Sequence, residues 1–271
     1  MDPISNTGVQ EKSNQKDFQN RYDPWWLMVI AVIVIIILLS FVKPDPFFRL
    51  LVFVKDGVFV TIFTTITSFV LILIIGLLVA LSRISSNVIL RSISTIYVEV
   101  VRGIPLLVQL LFWYFAFPSV IQGLGNALNI EALKNYLANP LMMAILGLTF
   151  CYAAYISEVY RAGIQSIPKG QMEAARSLGM NYFSAMRYII IPQAVRIVLP
   201  PVGNDLISLL KDSSLVSVVA VADITRRGRE FMAANFNPIE TWMMIALLYL
   251  VMTLFTARII HWIEQKAKIS N

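Results

Sequence analysis

The chain has 271 residues, of which 58% are hydrophobic and 14% charged, with a formal net charge of +6 and a mean hydropathy of +0.72. Such values exclude an ordinary soluble domain, where about a quarter of residues are charged. The positive balance does not point to nucleic acid, because the basic residues are scattered through the polar segments and form no block; a membrane protein with positive loops on one face accounts for it.

Residues 1–24 are polar, mixed in charge and rich in Asn and Gln, which predicts a loose tail. A signal peptide would need a charged start nearer its apolar core and a small-residue cleavage site. Residues 25–42 are an uncharged apolar run, about the shortest that spans a bilayer. Trp25 and Trp26 suit an interfacial anchor, and Lys43-Pro44-Asp45-Pro46 ends the run. Residues 58–81 read as a second span. A third runs from 92 to 117 and contains Glu99, Arg102, Gly103, Pro105 and Gln109; 118–139 reads as a loop with Gly123 and Gly125. Residues 140–160 form a fourth span, with the single cysteine, Cys151, in an apolar run where it forms no intrachain disulfide.

The stretch 158–192 is amphipathic and predicts two short helices. Pro168 and Lys169 open the first, since proline suits a first turn, and Gly179 closes it by accepting a left-handed conformation. Asn181 caps the second, which Pro192 limits or kinks. Residues 194–222 hold Pro200, Pro201, Asn204, Asp205, Lys211 and Asp212 and read as a discontinuous fifth span. Each Asp or Lys at the centre of a span costs about 2.5–3.5 kcal/mol of insertion, so these side chains must face protein or water. Residues 223–238 read as a loop and 239–263 as a sixth span. If the 158–192 stretch is inside, twelve basic residues lie inside and seven outside, which predicts cytoplasmic termini.

Glu173-Ala174-Ala175, then Gly179, then Ile189-x-Ile191-Pro192 resembles the cytoplasmic coupling loop of binding-protein-dependent ABC importer permeases of the type I class, with Ile191 at a position where the family usually has Leu. Arg102-Gly103-Ile104-Pro105-Leu106 resembles the Arg-Gly-Thr-Pro-Leu element of the permeases for polar amino acids, with Ile104 departing from it. Tyr155–Arg161, running into Gly170-Gln171 and Glu173, is similar to the same group, as is Gly203-Asn204-Asp205 through Lys211-Asp212-Ser213-Ser214-Leu215. The resemblance covers 56–266. It implies an all-α membrane protein of six transmembrane helices, a five-helix core preceded by an extra helix at 25–42.

The same resemblance implies that Glu173, Ala174, Ala175, Arg176, Gly179 and Pro192 couple the chain to an ATPase. The implied partners are a second permease copy or homologue, two ATPase subunits that bind the ATP, and an external amino-acid-binding protein, in a bacterial inner membrane. No catalytic activity, cofactor or metal is expected in this chain itself. No Gly-x-x-x-x-Gly-Lys-Ser/Thr occurs, so no phosphate-cradling loop is encoded.

For a substrate path, the residues of interest are Arg102, Gln109, Asn204, Asp205, Ser208 and Lys211. Arg102 offers a planar donor fork for a carboxylate, or else neutralises Glu99 three positions away. Asn204, Ser208 and Lys211 share a helical face with Asp205 one position round; they line a path or bond the backbone freed by the proline pair. Glu158 and Arg161 are expected to pair structurally, and His261 to sit at an interface. An ion-coupled secondary carrier also explains intramembrane charge, but gives the coupling segment no task.

Overall fold

The computed structural model describes residues 24–268, with the side chains of Pro24 and Lys268 excepted; the predicted polar tail lies almost wholly outside them. Among the described residues every regular element is helical. The first elements are α1 (Pro24–Val42), α2 (Pro44–Ile84), α3 (Val88–Gly103), α4 (Leu106–Leu111), α5 (Phe117–Leu128), a short α6 (Glu131–Lys134) and α7 (Pro140–Gln165). After them come α8 (Lys169–Ser177), α9 (Tyr182–Ala185), α10 (Ile191–Asp212), α11 (Ile224–Asn235) and α12 (Pro238–Lys268). Among the described residues five stretches are long and apolar enough to cross a membrane, within α1, α2, α4–α5, α7 and α12. The expected sixth, α10, has ample length, but Arg196, Asp205, Lys211 and Asp212 keep it from meeting that standard.

α2 and α7 form the centre of the bundle. Thr61, Thr65, Ser68, Ile72, Gly76 and Ala80 of α2 are all buried. Small residues let helices approach closely where lipid supplies no hydrophobic drive. At Gly76 a Cβ would stand 2.8 Å from the Ile156 side chain of α7. Leu110, Leu148, Tyr152, Ile156, Val198, Leu209 and Val216 complete the core around them. α1 lies against α12, where Val29 and Val32 meet Leu254 and the Trp25 indole donates to the Leu254 carbonyl at 3.1 Å.

Four expectations need correction. The third span is not one helix over 92–117: α3 stops at Gly103, Ile104 is extended (φ −107°, ψ 130°), and the membrane-length helix is 106–128. The predicted 118–139 loop is therefore largely helical. Its glycines are not turn signals: Gly125 is a close approach, with room for a Cβ only 2.5 Å from the Lys134 nitrogen. The predicted 223–238 loop is helix α11, whose first turn is capped by Asp223 Oδ1 and Oδ2 accepting from Arg226 N (2.9 Å) and Thr225 N (3.1 Å). Nor is the fifth span broken at its prolines. α10 runs unbroken through Pro200 and Pro201, and irregularity begins only after Asp212, in a 3-10 segment over Ser213–Val219.

Prolines end no helix at Pro118 or Pro192 either. Each lies two residues beyond a five-residue π turn, Phe112–Ala116 and Met186–Ile190. A proline ring clashes with the carbonyl four residues back, here that of Tyr114 or Tyr188, the middle residue of each π turn. The wider turn moves that carbonyl away. So the expected second short helix, α9, flows through its π turn into α10 instead of standing alone.

Candidate functional site

The segment between α7 and α10 is built by local chemistry. α8 ends as predicted: Gly179 has φ +84°, its N–H donates to Arg176 O (3.0 Å), and Met180 N–H donates to Ala175 O (3.1 Å). That pair of bonds satisfies two terminal carbonyls at once and needs the left-handed residue. Asn181 then caps α9 by accepting from Ser184 N at 2.8 Å. Ile167, Ile190 and Ala194, with Met172 and Met186, hold the segment to the bundle.

Glu173, Ala174 and Arg176 are exposed on α8, whereas Ala175 is only 1% exposed and faces its own chain. Ala175, expected among the residues that couple the chain to an ATPase, is thus not on the exposed face of α8; its small side chain lets α8 lie close to the bundle. Pro192 is exposed at the start of α10. Around this site Leu178, Tyr182, Phe183 and Tyr188 are 61–82% exposed, a large apolar surface on a polar segment.

The intramembrane polar residues divide. Gln109 is buried, and its amide nitrogen donates to the Val101 carbonyl (2.9 Å) and the Ile104 carbonyl (2.8 Å), both freed by the helix break; Cys151 Sγ lies 3.4 Å away. Its donors are spent largely on backbone, so it shapes the break between α3 and α4. Arg102 is exposed beside that break, with its guanidinium 5.3 Å from the centre of the Tyr155 ring. Among the described residues it forms no ion pair with Glu99.

Tyr155 in turn lies 6.1 Å, ring to ring, from Tyr152, whose hydroxyl donates to Asp212 Oδ2 at 2.6 Å. A cation and a carboxylate are so connected across two tyrosines of α7. Asp205, half-buried, lies seven residues before Asp212 and so on the same face of α10. Asn204, by contrast, faces a cleft with Arg258, His261 and Glu264. Ser208 is half-buried and Lys211 exposed.

Tyr152, Tyr155 and Asp212 are not among the expected path residues. Their signal is present in the chain all the same: two tyrosines three apart share a face of an apolar helix, and a hydroxyl in a span needs a partner. At the other end of α7, Glu158 pairs with Arg161 as expected, Nε to Oε2 at 3.1 Å, and also with Arg83 of α2.

Residues 56–269 match the family described as the binding-protein-dependent transport system inner membrane component. The chain is 38% identical over 197 residues to the glutamine transport system permease protein GlnP of Escherichia coli (strain K12), covering 73% of this chain and 84% of that protein. It is 35% identical to the L-cystine transport system permease protein TcyB of Bacillus subtilis (strain 168), covering 78% and 85%. The crystal structure of an amino acid ABC transporter with histidines superposes with a TM-score of 0.70 at 36% identity, over 84% of this chain and 97% of that one. The inward-facing MetNI methionine ABC transporter shares the fold at a TM-score of 0.60 and 22% identity, over 82% and 98%.

Proposed function

Because the chain belongs to the binding-protein-dependent transport system inner membrane components, we propose that it is the membrane-spanning subunit of an ATP-driven importer for polar amino acids. The observation that carries this reading is α8, a short, mostly exposed helix hung between two bundle helices and fixed at its far end by Gly179 and Asn181. It suits a lever pressed by a partner. An ion-coupled carrier leaves that helix without a load.

Family membership brings an ATPase and an external binding protein as partners in general terms. The fuller assembly, with two ATPase subunits binding the ATP, a second permease copy or homologue, and cytoplasmic termini, is our reading. Glu173, Ala174 and Arg176, with the apolar surface of Leu178, Tyr182 and Phe183, present to the ATPase, while Ala175, Gly179 and Pro192 set their placement. ATP-driven closure of the ATPase pair moves α8 and rocks the attached helices as rigid bodies.

Arg102 and Asp212 are our candidates for the carboxylate and ammonium of a zwitterionic substrate, with Tyr152 and Tyr155 between them. A guanidinium fork matches a carboxylate, and a carboxylate accepts from an ammonium. Asp205, Ser208 and Lys211 stay on the proposed path toward this pair. The test is uptake of a panel of polar amino acids into vesicles holding the chain with its ATPase and binding protein. Uptake is expected with ATP and not with an imposed ion gradient; the reverse refutes the proposal. Orientation is checked separately in a Cys151→Ala background. Leu137→Cys, three residues before α7, and Leu178→Cys, beyond its other end and past α8, both over 80% exposed, should react with an impermeant reagent only from opposite sides of vesicles holding the chain alone.

A further inference from the structure

Helix α3 has three faces. Val98 and Val101 are buried against Val79, Cys151 and Ala154 of α2 and α7. Ser92, Thr95, Glu99 and Arg102 share a second, polar side, given an advance of about 100° per residue. Ile89, Ile93, Ile96 and Val100 make the third, apolar and 54–69% exposed.

Several contacts fix the level of these faces. Val98 and Val101 meet Cys151 and Ala154, which stand at the middle of α7. The Tyr97 hydroxyl donates to the Phe150 carbonyl, and the two rings meet edge to face at 4.8 Å. Gln109 joins the Val101 carbonyl to Cys151 at the same height. Glu99 and Arg102 therefore lie near the middle of the bilayer, and both are exposed. A charge at that depth must face protein or water. One chain alone leaves this polar face open.

The apolar face beside it has the form of a contact seam. Its residues follow at spacings of four, three and four, the register in which helix knobs enter holes. Gly103 continues the register three residues on. Among the described residues a Cβ at Gly103 would meet nothing within 4 Å, so its own chain does not need the small residue. A second helix approaching closely does need it. Acyl chains require no register, and lipid on this face would also lap Glu99, which stands about 60° round the helix from Ile96.

We propose that a second copy of this chain seats its α3 on the stripe of Ile89, Ile93, Ile96 and Val100, so that the polar faces of the two copies border one water-filled path. The proposal rests on the reading of the chain as a permease subunit and adds the surface through which two copies meet. A two-fold axis along the membrane normal sets identical stripes against each other, in parallel, as an isologous contact requires. The side of Arg102 that one chain leaves open is then walled by the other.

The test is disulfide linkage in membranes holding the full complex, with single cysteines in a Cys151→Ala background and an added oxidant. Ile93→Cys, Ile96→Cys and Val100→Cys should each link two copies of the chain, because seam positions face their own equivalents across the axis at a distance a disulfide spans. Leu90→Cys, on another side of α3, and Ile66→Cys, on α2, are 48% and 57% exposed in the native chain and should yield almost no linked pair. Adding Gly103→Leu to Ile96→Cys should lower the linked fraction about tenfold, the usual penalty for overpacking a close contact. Monomers at all three seam positions, equal linkage at Leu90 and Ile66, or linkage indifferent to Gly103→Leu each overturns the proposal. Native mass spectrometry of the unaltered complex should show two copies of this chain, and a single copy overturns the proposal however the variants fold. Linkage is read without ATP or substrate, so its failure is separate from a failure of ATP-driven uptake.

Discussion

Around Glu158, at the coupling end of α7, one carboxylate takes two guanidiniums, from Arg83 and Arg161. One to two turns earlier, Tyr152 and Tyr155 hold an aspartate and an arginine apart. Both regions bring acid and base to the same helix in a membrane protein, where each charge is costly. Where the opposite charges meet, they neutralise each other and tie α2 to α7. Where aromatic rings keep them separate, each retains capacity for a third body. Separation of charge, more than its presence, distinguishes a site from a strut.

The comparison breaks first at the open pair. Arg102→Lys keeps the charge and loses the fork, and Asp212→Asn keeps the shape and loses the charge. Each should raise the apparent KM for uptake at least about tenfold and up to about a hundredfold, the span of a charge-assisted hydrogen bond, with unchanged thermal stability of the purified chain. Near-normal uptake by Arg102→Lys would return that residue to a structural role. At the closed pair the readouts exchange. Glu158→Gln leaves Arg83, whose side chain is 11% exposed, without a carboxylate. It should cost about 2 kcal/mol of stability, between the values for exposed and buried pairs, measured by unfolding in detergent, while KM stays unaltered. A KM change with normal stability would merge the two regions.

Beyond the closed pair lies the segment it supports. Gly179→Val forces a β-branched residue to φ +84°, at a cost of about 1–2 kcal/mol. ATP turnover should continue while uptake per ATP falls; uptake in proportion to turnover would separate Gly179 from coupling. The smallest effect is expected at Asn181→Ala, about 1 kcal/mol for a lost N-cap. Asn181→Asp should restore it, and thermal unfolding should rank the two variants.

How far the sequence is legible follows the range of the interactions involved. Gly179 and Asn181 act within a few residues, so their caps can be read from the residues alone. The break at Gly103-Ile104-Pro105 has a local cause too, because Pro105 denies the residue before it a helical conformation, but the apolar run over 92–117 masks it. The helices α5 and α11 escape such a reading because their signals compete: Gly125 resembles a turn residue until Leu133 and Lys134 come into view. The Arg102–Asp212 connection joins α3, α7 and α10 and depends on packing that no local window contains. Gln109 looks like a pore residue for the same reason, since its carbonyl partners appear only once α3 has ended.

The π turn over Met186–Ile190 has a consequence for phase. Such a turn holds about one residue more than an α turn, and each residue rotates a helix by about 100°. The azimuth at which α10 presents Asp205 and Asp212 to Tyr152 is therefore set by a single surplus residue beside the coupling segment. Deleting that residue would leave the composition of α10 untouched while turning its carboxylates off the axis they share with Tyr152. The lever and the polar pair are in register through that one residue, much as two gears are timed by one tooth.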